Sequence, residues 1–179
     1  MVLRGRGWLA GRVGRLTAGD VASWLLKTAQ PPAALAAGWS PGSAVVLQRC
    51  VRRSYRLELL RPGDPCVLWR SGPDRPGVWA TGTVAAAPVG SAAGPVVTVR
   101  LTLLAEPVPR AELLADPRFR DAEVVRMAAG SNPSWLSAAQ HAAVLDRLPS
   151  APSPAAAPGP GSMGTWVATG SGGERSAGS

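Results

Sequence analysis

A chain of 179 residues is long enough for one domain with extensions, and this one is strongly basic. Lysine and arginine together number 19 against 11 acidic residues, the net charge is +8, and Lys27 is the one lysine. This excess favours an anionic partner, above all nucleic acid, although a coding bias toward Arg, Ala, Gly and Pro would also produce it. Two cysteines and one histidine do not make a zinc site, so we expect neither a metal nor another cofactor.

The two ends of the chain differ in composition from its middle. Residues 1–20 carry four arginines without a hydrophobic period, and their apolar runs are too short for a signal sequence or a membrane span, which predicts a basic, flexible extension. Pro, Ala, Gly and Ser dominate residues 149–179, which predicts a disordered tail. We therefore expect residues 21–148 to form the domain of a cytoplasmic protein with reduced cysteines and no membrane association.

The first part of this domain combines a strand with short helices. Residues 21–27 form an apolar run that is typical of a buried strand, and residues 32–37 predict one or two helical turns. Residues 54–61 predict a helix, which must be short because Pro62, Gly63 and Asp64 end it.

The centre of the domain predicts a sheet. Residues 66–69 and 78–84 flank the turn-rich segment 71–77, which indicates two antiparallel strands. Residues 96–104 alternate and predict a third strand, and the residues on one face of that strand are Val97, Val99, Leu101 and Leu103.

Two helices complete the pattern. Residues 109–115 predict a helix with proline at its start, and residues 137–148 predict a second one that opens with a capping box between Ser137 and Gln140. Early and central strands with helices at the edges indicate a small α+β domain with a curved sheet.

Tryptophan dominates the aromatic residues, with seven against one Phe and one Tyr. Five of the seven fall within the predicted domain, at positions 24, 39, 69, 79 and 135. An indole face suits a stacked base or a cation, but large aromatic residues also dominate buried cores, and we expect Trp79 in the core. Arginines interleave with these tryptophans, mainly between Arg49 and Arg61.

Seven short stretches occur together in a characteristic order. They are WLLK at 24–27, CVRRSYR at 50–56, PGD at 62–64, LWRSG at 68–72, GVWATGTV at 77–84, PRAELLADP at 109–117 and RMAAGSNPSWLS at 126–137. Over roughly residues 23–148 the chain thereby resembles the EVE domain, which has a PUA-like fold and is a relative of the YTH domain. The resemblance implies an α+β fold with a curved mixed sheet, or pseudo-barrel, flanked by short helices.

The same resemblance implies a function. EVE and YTH-like domains are non-enzymatic binders of DNA or RNA that carries a modified base, and one base is flipped out of its strand into an aromatic pocket. We accordingly expect a monomer whose partner is nucleic acid; the modified base, and the choice between DNA and RNA, stay open.

Five pocket residues follow from the family pattern. Lys27 and Thr28 match a Lys-Ser pair that leads out of the first strand, and Tyr55 matches a tyrosine that opens the short helix. Trp69 and Ser71 match an aromatic-x-Ser pattern at the end of a central strand, where the ring is expected to stack on the base and the hydroxyl to meet its edge. Tyr55 also fits a buried helix anchor.

Cys50 matches the family pattern, and Arg49 before it departs from that pattern. They match a stretch in which tryptophan precedes the cysteine and forms a wall of the cage, and here that position is Arg49. A guanidinium can stack on a base but repels a cationic one. The resemblance then leaves two alternatives: another tryptophan, Trp39 or Trp69, supplies the wall, or the pocket is altered or lost.

The loop and the phosphate contacts complete the expected site. Asn132 lies in a loop that closes over the pocket in relatives, where its amide could read a base edge, although Gly-Ser-Asn-Pro also makes a plain turn. Arg52, Arg53 and Arg56 are expected to bind phosphates, and a solvated charged face is the simpler alternative.

Two other functions remain open at this stage. In an amidohydrolase of the related ASCH group, Lys27 and Thr28 with Asp64 or Glu58 would act on an acylated base or nucleoside. In an adaptor with a decayed pocket, Arg49 would fill the cavity and pair with an acid such as Asp74.

Overall fold

The computed structural model describes residues 15–130 and 132–148, which form one mixed sheet with short helices around it. The strands are β1 (Ser23–Thr28), β2 (Ala44–Cys50), β3 (Pro65–Arg70), β4 (Gly77–Ser91), β5 (Gly94–Pro109) and β6 (Ser134–Leu136). The α-helices are α1 (Pro32–Leu35), α2 (Arg110–Ala115), α3 (Glu123–Arg126) and α4 (Ala138–Leu145), with 3-10 helices at Ala18–Asp20 and Tyr55–Leu59.

The sheet has the order β2-β5-β4-β3-β1-β6. Neighbouring strands of the sheet are antiparallel, except that β1 and β3 are parallel. The register of this parallel pair places Lys27 beside Trp69 and Thr28 beside Arg70. The carboxyl ends of β1 and β3 therefore lie side by side. A long hairpin of β4 and β5 supplies the centre of the sheet.

Hydrophobic residues cover both faces of the sheet. All six residues of β1 are buried, and they alternate between two cores, with Leu26 in the first and Leu25 in the second. The first core includes the predicted inward face of β5, whose members are Val97, Val99, Leu101 and Leu103. The second core contains Trp69, Leu113 and Phe119, and it lies under α2 and α4. Covering both faces explains why three apolar residues, Trp24, Leu25 and Leu26, follow one another in β1.

The α+β fold class and most predicted elements are confirmed. Strands β1, β3, β4 and β5, helices α1, α2 and α4, and the short 3-10 helix at Tyr55–Leu59 lie where the sequence predicts them, and the capping box of Ser137 and Gln140 is present. Strands β2 and β6 and helix α3 were not predicted. No helix among the described residues has the length and hydropathy needed to cross a membrane, and no cluster of potential metal ligands occurs among them.

The start of the domain differs from the boundary predicted at residue 21. Leu16 packs against the first core, and its backbone N–H donates to the Tyr55 hydroxyl at 3.1 Å. Arg15 places its guanidinium carbon 4.2 Å from the centre of the Tyr55 ring. Arg15 and Leu16 thus contact the domain, while residues 1–14 and the predicted tail over 149–179 lie outside the described residues.

Candidate nucleic-acid interface

Hydrogen bonds join the ends of β1, β2 and β3 into one surface, which we call the arginine rim: residues 27–28, 49–53, 70–71 and Asn132. The backbone N–H of Ser71 donates to the Thr28 carbonyl at 2.8 Å, and that of Arg52 donates to the Asn132 carbonyl at 2.8 Å. A long contact at 3.4 Å runs from Arg49 Nη2 to the Lys27 carbonyl. The rim unites eight of the eleven predicted site residues, although their side chains leave it in different directions. Those eight are Lys27, Thr28, Arg49, Cys50, Arg52, Arg53, Ser71 and Asn132.

Asn132 uses its side chain to hold the backbone. The Lys27 N–H donates to Asn132 Oδ1 at 2.6 Å, and Asn132 Nδ2 donates to the Lys27 carbonyl at 3.0 Å. The amide thereby imitates the next pair of a β ladder beyond β6. One N–H of its amide and one lone pair of its Oδ1 are thus used on the Lys27 backbone, which supports the turn alternative, while the contact of Asn132 with a base edge stays a prediction.

Lys27 also points into the protein. Its ammonium donates to the carbonyls of Met127 and Ala128, each at 3.4 Å, and to that of Gly130. Burial lowers the pKa of this ammonium, and the nearby Glu123 carboxylate partly opposes the shift. The side chain therefore fastens the loop that follows α3 instead of facing a ligand.

Trp69 belongs mostly to the second core. Its side chain is 3% exposed and stacks on Phe119, with the ring centres 6.1 Å apart and an interplanar angle of 14°. Trp69 and Ser71 nevertheless line one cavity of about 290 Å³, which is also bordered by Arg110 and Val124. A base could reach only a margin of the indole there, because Phe119 covers one of its faces.

The described tryptophans do not surround a common cavity, so the expected aromatic cage is absent from this arrangement. Trp39 is buried in the first core, and its indole N–H donates to the Ser43 carbonyl at 3.0 Å. Trp79, expected in the core, is half-buried at the edge of the first core, where Arg70 and Arg75 lie over its ring at 5.0 and 5.3 Å.

Arg49 stands at the cage position without a carboxylate partner in the described part of the chain. Its Nε is buried and has no hydrogen-bond partner, and burial lowers the pKa of its guanidinium. The Arg49–Asp74 pair of the decayed-pocket alternative does not form, because Asp74 binds Arg70 at 2.6 Å. Thr28 is buried, and its hydroxyl accepts from the Gln30 N–H at 3.1 Å.

The predicted phosphate-binding arginines fall into two groups. Arg52 and Arg53 are exposed and form no ion pair within residues 15–130 and 132–148. Arg56 instead binds both oxygens of Glu123, at 2.9 and 2.7 Å, and its Nη1 donates to the Pro133 carbonyl at 3.3 Å. This hydrogen bonding raises the pKa of Arg56. The guanidinium is thus engaged in holding α3 and the loop before β6, and its contact with phosphate stays a prediction.

Tyr55 and Cys50 complete the predicted set. Tyr55 faces Arg15 and Leu16 and borders a different cavity, of about 580 Å³, so it does not meet the rim. Cys50 is exposed at the end of β2. Sequence reasoning missed Arg70 as a rim residue, since the motif LWRSG that contains it drew attention to Trp69 and Ser71.

Solved structures with the same fold include a hypothetical protein from Leishmania major, at a TM-score of 0.53 and 17% identity, covering 72% of this chain and 95% of that one. A protein from Pseudomonas putida matches at a TM-score of 0.52 and 14% identity, covering 70% of this chain and 98% of that one. Human THYN1, solved in complex with DNA containing 5-methylcytosine, matches at a TM-score of 0.44 and 14% identity, covering 69% of this chain and 95% of that one.

No protein-family profile matches the chain, and no curated protein sequence matches it. At these identities the structural likeness establishes the fold alone. The chain shares the fold of these solved proteins, and that fold agrees with the α+β class predicted from its sequence.

Proposed function

We propose that this domain is a non-enzymatic nucleic-acid-binding module that accommodates one flipped, modified base at the arginine rim. The proposal depends on one observation: the ends of β1, β2 and β3 meet at a surface whose arginines mostly lack carboxylate partners. Arg49, Arg52 and Arg53 form no ion pair in the described part of the chain, and Asp74 is the one carboxylate there that pairs with a rim arginine. Arginine without an acidic partner is suited to phosphate and to base edges.

The rim offers distinct positions for the backbone and for the base. Arg52 and Arg53 are exposed and suited to phosphate contacts, which fix register without sequence preference. The base would enter between Thr28, Arg49 and Ser71. Of these three residues, Ser71 also borders the cavity of about 290 Å³ beside Trp69, which is large enough for one ring, since an engineered cavity of about 150 Å³ holds a benzene ring.

The amidohydrolase alternative loses its candidate nucleophile. The Lys27 ammonium donates to three backbone carbonyls and would have to leave the loop after α3 before it could attack a substrate. Asp64, offered as its partner, accepts from the indole N–H of Trp24 and the backbone N–H of Arg61, each at 2.9 Å. No contact among the described residues favours acyl chemistry at this position.

A titration of oligonucleotides tests the proposal. Single-stranded and duplex DNA and RNA that differ only in one central modified or unmodified base are titrated at several salt concentrations. We expect binding that weakens linearly in log affinity with log salt, together with tighter binding of a modified strand. Equal affinity for every base, with only the salt-dependent component, would reject selective recognition, and no binding at low salt would reject the function as a whole.

A further inference from the structure

Two buried side-chain polar atoms in the described part of the chain have no hydrogen-bond partner: Nε of Arg49 and Nε of Arg70. Folded proteins leave few buried donors unsatisfied, and each exception needs an explanation. Both atoms belong to the arginine rim. Arg70 lies beside Thr28 in the parallel register, and Arg49 reaches the Lys27 carbonyl, so both flank the same two residues of β1.

Both side chains leave their strands on the side of the first core. Arg49 follows Val45 and Leu47 on β2, and those two residues alternate with exposed ones and pack against that core. Arg70 comes two residues after Leu68, a member of the core, and its guanidinium lies over Trp79 at the edge of it. The two unsatisfied donors therefore lie on the same face of the sheet.

The surroundings of the two guanidinium groups differ. Arg70 is held in place, because its Nη2 donates to Asp74 at 2.6 Å and its plane rests over the Trp79 ring at 5.0 Å. Arg49 has only the long contact with the Lys27 carbonyl and no carboxylate among the described residues. Arg70 thus offers a fixed N–H donor and Arg49 an uncompensated positive charge, which together complement a ligand with acceptors or negative charge.

We propose that Arg49 and Arg70 make the arginine rim selective for a base with hydrogen-bond acceptors, so that a 5-carboxylated pyrimidine binds more tightly than its methylated counterpart. This inference rests on the function proposed above and names the chemistry of the base. A guanidinium fork matches a carboxylate in geometry and charge, whereas a methyl group leaves both Nε donors unsatisfied. A cationic methylated base is disfavoured by like charge.

The test uses the full chain and three oligonucleotides that are identical except for one central cytosine, 5-methylcytosine or 5-carboxylcytosine. Fluorescence anisotropy gives the dissociation constants at fixed salt. We expect the carboxylated strand to bind about tenfold more tightly than the methylated one, as a charge-assisted hydrogen bond provides. Arg49→Gln and Arg70→Gln should each remove most of this preference, and the matched control Arg100→Gln, exposed on β5, should keep it.

A further variant separates a directed donor from mere charge. Arg49→Lys keeps the positive charge but loses the planar Nε donor, so we expect it to lose the preference as well. If Arg49→Gln does not fold, as checked by circular dichroism, Arg49→Lys and Arg70→Gln still decide the question.

The outcomes are distinct for the two proposals. Salt-dependent binding with equal affinity for the three strands, tighter binding of the methylated strand, or full preference in Arg49→Lys would each overturn the assignment of the two arginines. The first of these leaves phosphate binding in place, and the second supports a modified-base pocket of another chemistry. Absence of any binding would overturn both proposals.

Discussion

Arginines form ion pairs in one region of this domain, and in another region most of them do not. At the α2–α4 corner, formed by Asp116, Arg118, Asp146 and Arg147, both arginines meet carboxylates. Asp116 Oδ2 accepts from Arg118 at 2.7 Å and from Arg147 at 3.0 Å, and Arg118 also binds Asp146 at 2.9 Å. At the arginine rim, Arg49, Arg52 and Arg53 meet no carboxylate within the described residues, and two buried Nε atoms have no partner.

The difference separates arginines that hold the fold from arginines that are available to a ligand. Asp116 is buried where α2 ends, so its two arginine partners connect the ends of α2 and α4. Unsatisfied donors at the rim contribute nothing to the folded state and are costly to bury. Sites that break the rule of satisfied polar groups are where function is expected.

The largest effect is expected from Asp116→Asn, which removes the shared carboxylate of the corner. Hydrogen bonds from Arg118 hold the pKa of Asp116 well below its usual range. Because the folded pKa is depressed, this stabilisation is complete above the unfolded pKa of about 3.9 and is lost as the pH falls through the folded value. We expect the Tm of the variant at pH 7 to fall by several degrees, and the difference from the wild type to shrink on acidification to about pH 2. Calorimetry at pH 7 and pH 2 measures the Tm of the variant and of the wild type. An unchanged Tm at pH 7 would contradict the structural role of the corner.

The double variant Arg52→Gln, Arg53→Gln tests whether the unpaired arginines of the rim bind nucleic acid. We expect affinity for every oligonucleotide to fall about tenfold at 0.1 M salt, and the slope of log affinity against log salt to decrease by about 0.7–0.9 for each lost contact, with Tm unchanged. A double variant at two exposed arginines away from the rim, Arg100→Gln with Arg120→Gln, has the same change in charge and serves as the control. Equal losses in the two double variants would mean that net charge alone, and not the rim, drives binding.

Arg49→Met should stabilise the folded protein, whereas replacing an arginine that holds the fold destabilises it. Removing a buried donor without a partner and a desolvated charge should raise the free energy of unfolding by about 1 kcal/mol, while affinity for the preferred base falls. Urea unfolding measures the first effect and anisotropy the second. A loss of stability would show that Arg49 serves the fold as Arg118 does.

Glu123→Gln should have the smallest effect on nucleic-acid binding. It removes the carboxylate partner of Arg56, so that this arginine becomes available to a ligand. Neutralising Glu123 leaves Arg56 without its counter-charge next to the rim, so nucleic-acid affinity should rise by about two- to threefold as one more cation becomes available. The same titration measures this. A fall in affinity would indicate that the Arg56–Glu123 pair holds the rim in its binding shape.

Local sequence patterns explain most of the fold. The apolar run of β1, the alternation of β5 and the capping box of α4 are each encoded within a few residues. Strand β2 was missed because valine and leucine occupy both of its faces, with Val46 exposed and Leu47 half-buried, so its polarity does not alternate. Strand β6 has three residues, too few to show a period.

The site was predicted less well, because its decisive contacts join distant residues. Lys27 and Asn132 are 105 residues apart, and Arg56 and Glu123 are 67 apart. The family motifs identified which segments meet at the rim but not which side chains are already occupied there. Trp69 illustrates this, since its suitability for stacking on a base is limited by Phe119, 50 positions later and outside the motif that nominated it.

The arginine side chains can be observed directly by nitrogen-edited NMR of their Nε–H groups during titration with the carboxylated oligonucleotide. We predict that the signals of Arg49 and Arg70 shift and become protected from solvent exchange as the strand binds, while the signal of Arg118 at the corner stays in place. Unchanged signals from Arg49 and Arg70 in a saturated complex would contradict the assignment of the rim as the ligand-binding surface.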